Sequence, residues 1–167
     1  MLKDYVCTGP GETFAAGARL ATFLKEGDVI GLVGNLGAGK TLFVQGLAQG
    51  LSVPDSVAVT SPTFSLVNEY RGGRLSLVHI DLYRIEEAAE LEHLGLEELI
   101  DLAGVSAVEW CERFPVLPED HLLINIEIPD IKTPGVDHRV LQVRGTGPRS
   151  RALADEWGND LRLKTTS

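Results

Sequence analysis

The residues best suited to chemistry in this 167-residue chain lie together in one segment, Gly34-Asn35-Leu36-Gly37-Ala38-Gly39-Lys40-Thr41. It matches the phosphate-loop pattern G-x-x-x-x-G-K-[ST] at every fixed position. A triphosphate is a dense cluster of anionic oxygens, so its binding loop must bring many donors close together. Glycines let the backbone bend until successive N–H groups point inward as an anion nest. A helix beginning directly after the loop would aim the positive end of its dipole at the same spot. On this pattern the loop from Gly34 to Thr41 and the N–H of Leu42 face nucleotide phosphates. Lys40 reaches the β and γ phosphates, and the Thr41 hydroxyl can ligate magnesium.

A magnesium nucleotide also calls for a carboxylate that reaches the metal, directly or through water, from a neighbouring strand end. Asp81 follows the run Leu75-Ser76-Leu77-Val78-His79-Ile80, and Glu109 follows Val105-Ser106-Ala107-Val108. Either acid would face the crevice beside the loop, and spacing does not assign the metal to one of them. His79 stands two residues before Asp81 and so shares its face of a strand; it is read as a structural histidine. The histidines at 79, 93, 121 and 138 show no metal-ligand spacing. Ser61 and Thr63, in Thr60-Ser61-Pro62-Thr63-Phe64, occupy a place where phosphate-loop proteins often carry a nucleotide-sensing segment. They could bond the γ-phosphate or the attacking water; a proline turn with local hydroxyl bonds is the alternative reading.

The elements that must position these groups follow from periodicity. Val29 to Val33 is a short apolar run suited to a strand buried on both faces, and Lys40 to Leu51 reads as the helix after the loop. Before them, Glu12 to Lys25 carries Phe14, Ala18, Ala21 and Leu24 at helical spacing and is broken at Gly27-Asp28. Val57 to Thr60 and Phe64 to Tyr70 look extended. The glycine pair of Arg71-Gly72-Gly73-Arg74 predicts a hairpin back into Leu75 to Ile80. Ile85 to Ile100 is helical with an interruption at Gly95, and Val105 to Val108, His121 to Ile128 and Arg139 to Val143 are later strands. Ser150 to Trp157 reads as a final helix. Strands alternating with helices, plus one hairpin, predict a single α/β domain over 1–163, with a mixed, largely parallel sheet flanked by helices. Residues 164–167 read as a short polar tail.

Composition narrows the class further. Hydrophobic residues make up 44% and charged residues 23%, the balance of a soluble globular domain, and no apolar stretch has the length to cross a bilayer. The opening Met1-Leu2-Lys3-Asp4-Tyr5 is not a secretory signal, so the expected compartment is the cytoplasm. Cys7 and Cys111 lack a C-x-x-C partner and are read as small apolar residues. The net charge of −9 lacks the basic footprint of a free-standing nucleic-acid binder.

Taken in order, the phosphate loop, Ser61-Pro62-Thr63-Phe64, Asp81-Leu82-Tyr83-Arg84 and Glu109-Trp110 resemble the TsaE (YjeE) family over residues 10 to 145. This resemblance implies an ATPase that assists TsaB and TsaD in tRNA threonylcarbamoyladenosine synthesis, with tRNA met only through that complex. It implies that Thr41 and Glu109 bind magnesium and leaves Asp81 either to support the metal from behind its direct ligands or to position water. The family's loop usually reads G-D-L-G-A-G-K-T, and this chain carries Asn35 in place of the aspartate. A loop that works through backbone donors keeps its grip on phosphate regardless. Two other classes are open to this sequence: a small-molecule kinase using Arg84 and Arg113 on a second phosphate, and a nucleotide-dependent scaffold. A kinase's arginine-rich lid and a GTPase's N-K-x-D guanine reader are both missing from the sequence. The segment from Thr8 to Thr13 is the candidate for approaching the nucleotide's base.

The charge balance generates a first prediction. The isolated chain, at −9, is expected to bind tRNA weakly or not at all in an electrophoretic shift assay at physiological salt. Tight, salt-insensitive binding by the chain alone would contradict this reading.

Overall fold

The computed structural model describes residues 3–60, 62, 66–129 and 137–165, with side chains to residue 161. Seven strands form one sheet: β1 (Lys3–Cys7), β2 (Asp28–Val33), β3 (Val67–Tyr70), β4 (Leu77–Asp81), β5 (Val105–Glu109), β6 (Leu122–Glu127) and β7 (Arg139–Gly145). The helices are α1 (Pro10–Ala21), α2 (Lys40–Gly50), α3 (Ala88–Leu94), α4 (Leu96–Leu102) and α5 (Pro148–Thr165), with a short 3-10 turn at Cys111–Arg113.

Across the sheet the order is β1-β7-β6-β2-β5-β4-β3. β2 pairs in parallel with β5 and β6, and β4 in parallel with β5. β3 is antiparallel to β4, and β7 is antiparallel to both β6 and β1. Five strands therefore share one direction, with β3 and β7 reversed. The sheet is mixed and mostly parallel, as expected. β2 lies at its centre, and alternate residues serve opposite faces: Ile30 and Leu32 join the core under α1, α2 and α5, while Val29 joins the core under α3 and α4. This two-sided burial is why the strand reads as a continuous apolar run.

The sequence reading differs from the fold in several places. β1 was not anticipated, because it is made by register with β7 (Tyr5 opposite Leu141, Cys7 opposite Arg139), a long-range pairing that leaves little local signal. α1 begins at Pro10, whose fixed φ suits a first helical position, and ends at Ala21 instead of reaching Lys25. Val57 to Thr60 forms no strand; the backbone of Thr60 is bonded to the Tyr70 hydroxyl instead. β3 starts only at Val67, and β4 runs from Leu77 through Asp81. The expected helix from Ile85 starts at Ala88 behind a capping box between Glu87 and Glu90, and it breaks at Gly95, as expected, with φ +61°. α5 runs well past Trp157, to Thr165, and so takes in the start of the segment read as a tail.

The phosphate-loop helix is fixed by an unusually close neighbour. α1 and α2 run side by side in the same direction, with Gly17, Gly46 and Gly50 at the contact. A Cβ on Gly46 would sit 2.1 Å from the Phe14 carbonyl oxygen, and one on Gly17 would sit 2.3 Å from that of Phe43. Both helices consequently begin at the same end of the sheet. Trp157 of α5 locks the pair from outside: its ring meets Phe43 edge-on at 5.9 Å, and its Nε1 donates to the Ala16 carbonyl at 3.1 Å. Gly46→Ala is expected to force the helices apart and cost about 2 kcal/mol, read as a lower midpoint in urea unfolding. An unchanged midpoint would show that the close approach is not a constraint.

Candidate functional site

β2 ends at Val33, α2 begins at Lys40, and the intervening loop turns on glycines: Gly37 and Gly39 adopt φ +80° and +112°. A side chain on Gly34 would meet the Ile126 carbonyl oxygen of β6 at 2.6 Å, so the loop leaves the sheet pressed against the neighbouring strand. Phe43 makes the first backbone bond of the helix, to Gly39. The N–H groups of Lys40, Thr41 and Leu42 have no acceptor within the helix and point out of its N-terminus. They open on a crevice of about 480 Å³ lined by Leu36 to Leu42, Pro62, Leu66, Asp81, Tyr83, Arg84, Glu109 and Trp110.

The register of β4 on β5 puts Asp81 directly beside Glu109. Both carboxylates reach the crevice at its floor and are almost wholly buried. The Tyr83 N–H donates to Asp81 Oδ1 at 2.9 Å. Glu109 is bonded to His79: Nε2 lies 2.5 Å from Oε2, with both side chains inside the protein. His79 is buried, as a structural histidine would be, but its partner is a site carboxylate, which sequence spacing gave no means of finding. Its Nδ1 has no hydrogen-bond partner among the described residues.

Lys40 is folded back across the loop mouth. Its ammonium group donates to the carbonyl oxygens of Gly34 and of Asn35, the latter at 3.1 Å, and sits 4.2 Å from the centre of the Trp110 ring. Burial pulls its pKa below the ordinary lysine value, while Glu109, Glu112 and Asp81 pull it back up. Trp110 is turned toward Lys40 by a left-handed backbone, φ +59°, directly after β5. The Tyr83 ring packs against it at a tilt of 43°, with the ring centres 5.0 Å apart. This aromatic wall was missed in the sequence because nothing local to Trp110 reports where Lys40 ends up.

The other candidates sort clearly. Ser61 and Thr63 lie outside the described residues, although Pro62 between them lines the crevice. Of the two arginines that a kinase would use on a second phosphate, Arg84 lines the crevice, while Arg113 donates to the Tyr83 carbonyl. Thr13 stands beside the loop's end, its methyl 3.6 Å from where a Cβ on Gly39 would be. Both cysteines are free and buried, and burial pushes the Cys111 thiol up to about 12. Among the described residues no helix is long and apolar enough to cross a membrane.

The site can do specific chemistry. Unpaired backbone donors at a helix N-terminus, a lysine above them and two carboxylates opposite make a place for a phosphate chain and a hard cation. Thr41, Glu109 and Asp81 are the oxygen donors such a cation could use, and a magnesium ion that keeps several waters needs few protein ligands. The residues present fit that group.

Known proteins resemble this chain over most of its length. The family model described as threonylcarbamoyl adenosine biosynthesis protein TsaE matches residues 7–135. The TsaE protein of Bacillus subtilis is 42% identical over 148 residues, 88% of each chain. That of Aquifex aeolicus is 42% identical over 130 residues, covering 78% of this chain and 90% of its own. Among solved structures, the crystal structure of Bacillus subtilis YdiB superposes with a TM-score of 0.79 at 33% identity, covering 96% of both chains.

The buried pair at the floor yields a stability prediction. His79→Leu leaves the Glu109 carboxylate buried without its partner and is expected to cost about 1–3 kcal/mol, measured by urea unfolding. Replacing both, His79→Leu with Glu109→Leu, should recover much of that loss. A single variant as stable as the wild type would show that the bond does not hold Glu109.

Proposed function

The chain belongs to the TsaE family, and on that premise we propose that it is a magnesium-dependent phosphate-loop ATPase serving formation of N6-threonylcarbamoyladenosine in tRNA. The observation that supports the nucleotide reading most strongly is convergence. Lys40 and Thr41 from α2, Asp81 from β4 and Glu109 from β5 line one crevice at the mouth of a glycine loop.

Each residue then has a role set by its place. The loop backbone and the N–H groups of Lys40, Thr41 and Leu42 grip the phosphates. Lys40 exchanges the carbonyls of Gly34 and Asn35 for phosphate oxygens, swinging from one set of acceptors to a more highly charged one. Thr41 and Glu109 would hold magnesium, with Glu109 oriented by His79. When bound, the metal neutralises charge that develops on the phosphates. Asp81, beside Glu109, positions the attacking water. Lys40 stabilises the charge that shifts as the terminal bond breaks.

The relatives' names support a place in tRNA threonylcarbamoyladenosine synthesis, and the chain's charge argues against direct capture of tRNA. At −9, this chain reaches tRNA through partners, homologues of TsaB and TsaD, in the cytoplasm. It powers or resets their cycle and leaves the threonylcarbamoyl transfer to them.

Multiple-turnover synthesis tests this directly. With TsaB, TsaD, ATP and the activated threonylcarbamoyl donor, wild-type chain should sustain modified nucleoside formation, measured by mass spectrometry of digested tRNA. Lys40→Ala should lower ATP turnover about 100-fold or more and fail to sustain synthesis, as should Glu109→Gln. Asp81→Asn should keep nucleotide binding while slowing hydrolysis. Equal yield with wild type, Lys40→Ala or no added chain would defeat the pathway assignment while leaving ATP binding open to its own test.

A further inference from the structure

A cation outside the crevice grips the phosphate loop from behind. Arg139, the first residue of β7, sits between β1 and β6 at the loop's end of the sheet; it is opposite Cys7, and the next residue, Val140, is opposite Glu127. Its Nε donates to the Ala38 carbonyl at 2.8 Å, and Nη2 reaches that of Gly37 at 3.3 Å. The third nitrogen, Nη1, donates to the His138 carbonyl at 2.9 Å and to the Asp137 carboxylate. The side chain is only 15% exposed, so this fork is a fixed part of the fold. Arg139 is absent from the crevice lining and lies beyond the residues that the family model matches.

Peptide planarity turns this contact into a functional statement. In a trans peptide the C=O and the following N–H point in opposite directions. Holding the Ala38 oxygen on the Arg139 side therefore aims the Gly39 N–H away from Arg139, toward the crevice that Gly39 lines. Gly39, at φ +112°, has little intrinsic preference for this orientation, since glycine rotates freely. The adjacent Gly37–Ala38 peptide is held a second way, by the Ala38 N–H bonding to the Asn35 carbonyl at 3.0 Å. The guanidinium also neutralises two carbonyl oxygens that would otherwise add negative potential next to a phosphate.

We propose that Arg139 is a positioning residue for the phosphate site: its fork fixes the Ala38–Gly39 peptide with the N–H facing the nucleotide, so the anion nest exists before the nucleotide arrives. This rests on the reading of the crevice as a Mg-ATP site. A rigid donor array binds more tightly than one that must be ordered on binding. A planar fork on successive carbonyls is arginine's geometry, which a lysine cannot reproduce.

The test is isothermal titration of wild type, Arg139→Gln and Arg139→Lys with Mg-ATP and Mg-ADP. It is run well below the melting temperature on protein verified as folded by circular dichroism. Both variants are expected to bind each nucleotide about tenfold more weakly, equivalent to about 1.4 kcal/mol. Arg139→Lys matching the wild type would overturn the proposal, because charge alone would then suffice. Both variants matching the wild type would overturn it as well, whatever their melting temperatures, by reducing Arg139 to a stability contact. Should Arg139→Gln fail to fold, Arg139→Lys carries the same test. No Mg-ATP binding by the wild type would remove the nucleotide reading itself, a result distinct from either variant outcome.

Discussion

An acidic chain that is proposed to hold a polyanion faces one electrostatic constraint, and the crevice end of this fold answers it. The chain carries −9 overall, so the attraction must be local and directional. Backbone N–H groups at the start of α2 supply it without adding charge to the surface. They point into the crevice because β2 is central, the loop turns on glycines with left-handed φ, and α2 is held parallel to α1 by close glycine contacts. Arg139 behind the loop and Trp157 outside the helices complete the clamp.

The same constraint accounts for the opposite wall. Buried carboxylates beside a phosphate chain would repel it unless a cation stood between them, so the burial of Asp81 and Glu109 fits the proposed metal. Parallel pairing of β4 with β5 delivers the two acids to one level. Beneath them His79 holds Glu109 in place. Lys40, resting on loop carbonyls and on the face of Trp110, is kept close to where a phosphate would sit, in contacts worth about 1–2 kcal/mol from the aromatic ring. Those contacts are weak enough to yield to a charged ligand.

Much of this was legible in the sequence because its signals are local. The loop pattern, the apolar runs of β2 and β5, the Gly72-Gly73 hairpin and the break at Gly95 each depend on a few consecutive residues. The placement of Asp81 and Glu109 at strand ends followed from where apolar runs stop. What escaped was set by distant pairing. β1 exists through β7, His79 finds Glu109 thirty residues away, and Arg139 meets the loop from more than a hundred residues downstream. Trp110 faces Lys40 only through an uncommon backbone turn. Thr60 went to a side-chain bond with Tyr70 where β-propensity suggested a strand. Such outcomes belong to tertiary structure, where local preference is overridden.

The central claim is that the loop, Lys40 and the two acids form one Mg-ATP site, and calorimetric titration of the unmodified chain tests it most directly. Saturable one-to-one ATP binding is expected, tighter with magnesium than with chelator and tighter than GTP, since the sequence carries no guanine reader. Absence of binding, indifference to magnesium, or GTP bound as tightly as ATP would contradict the account.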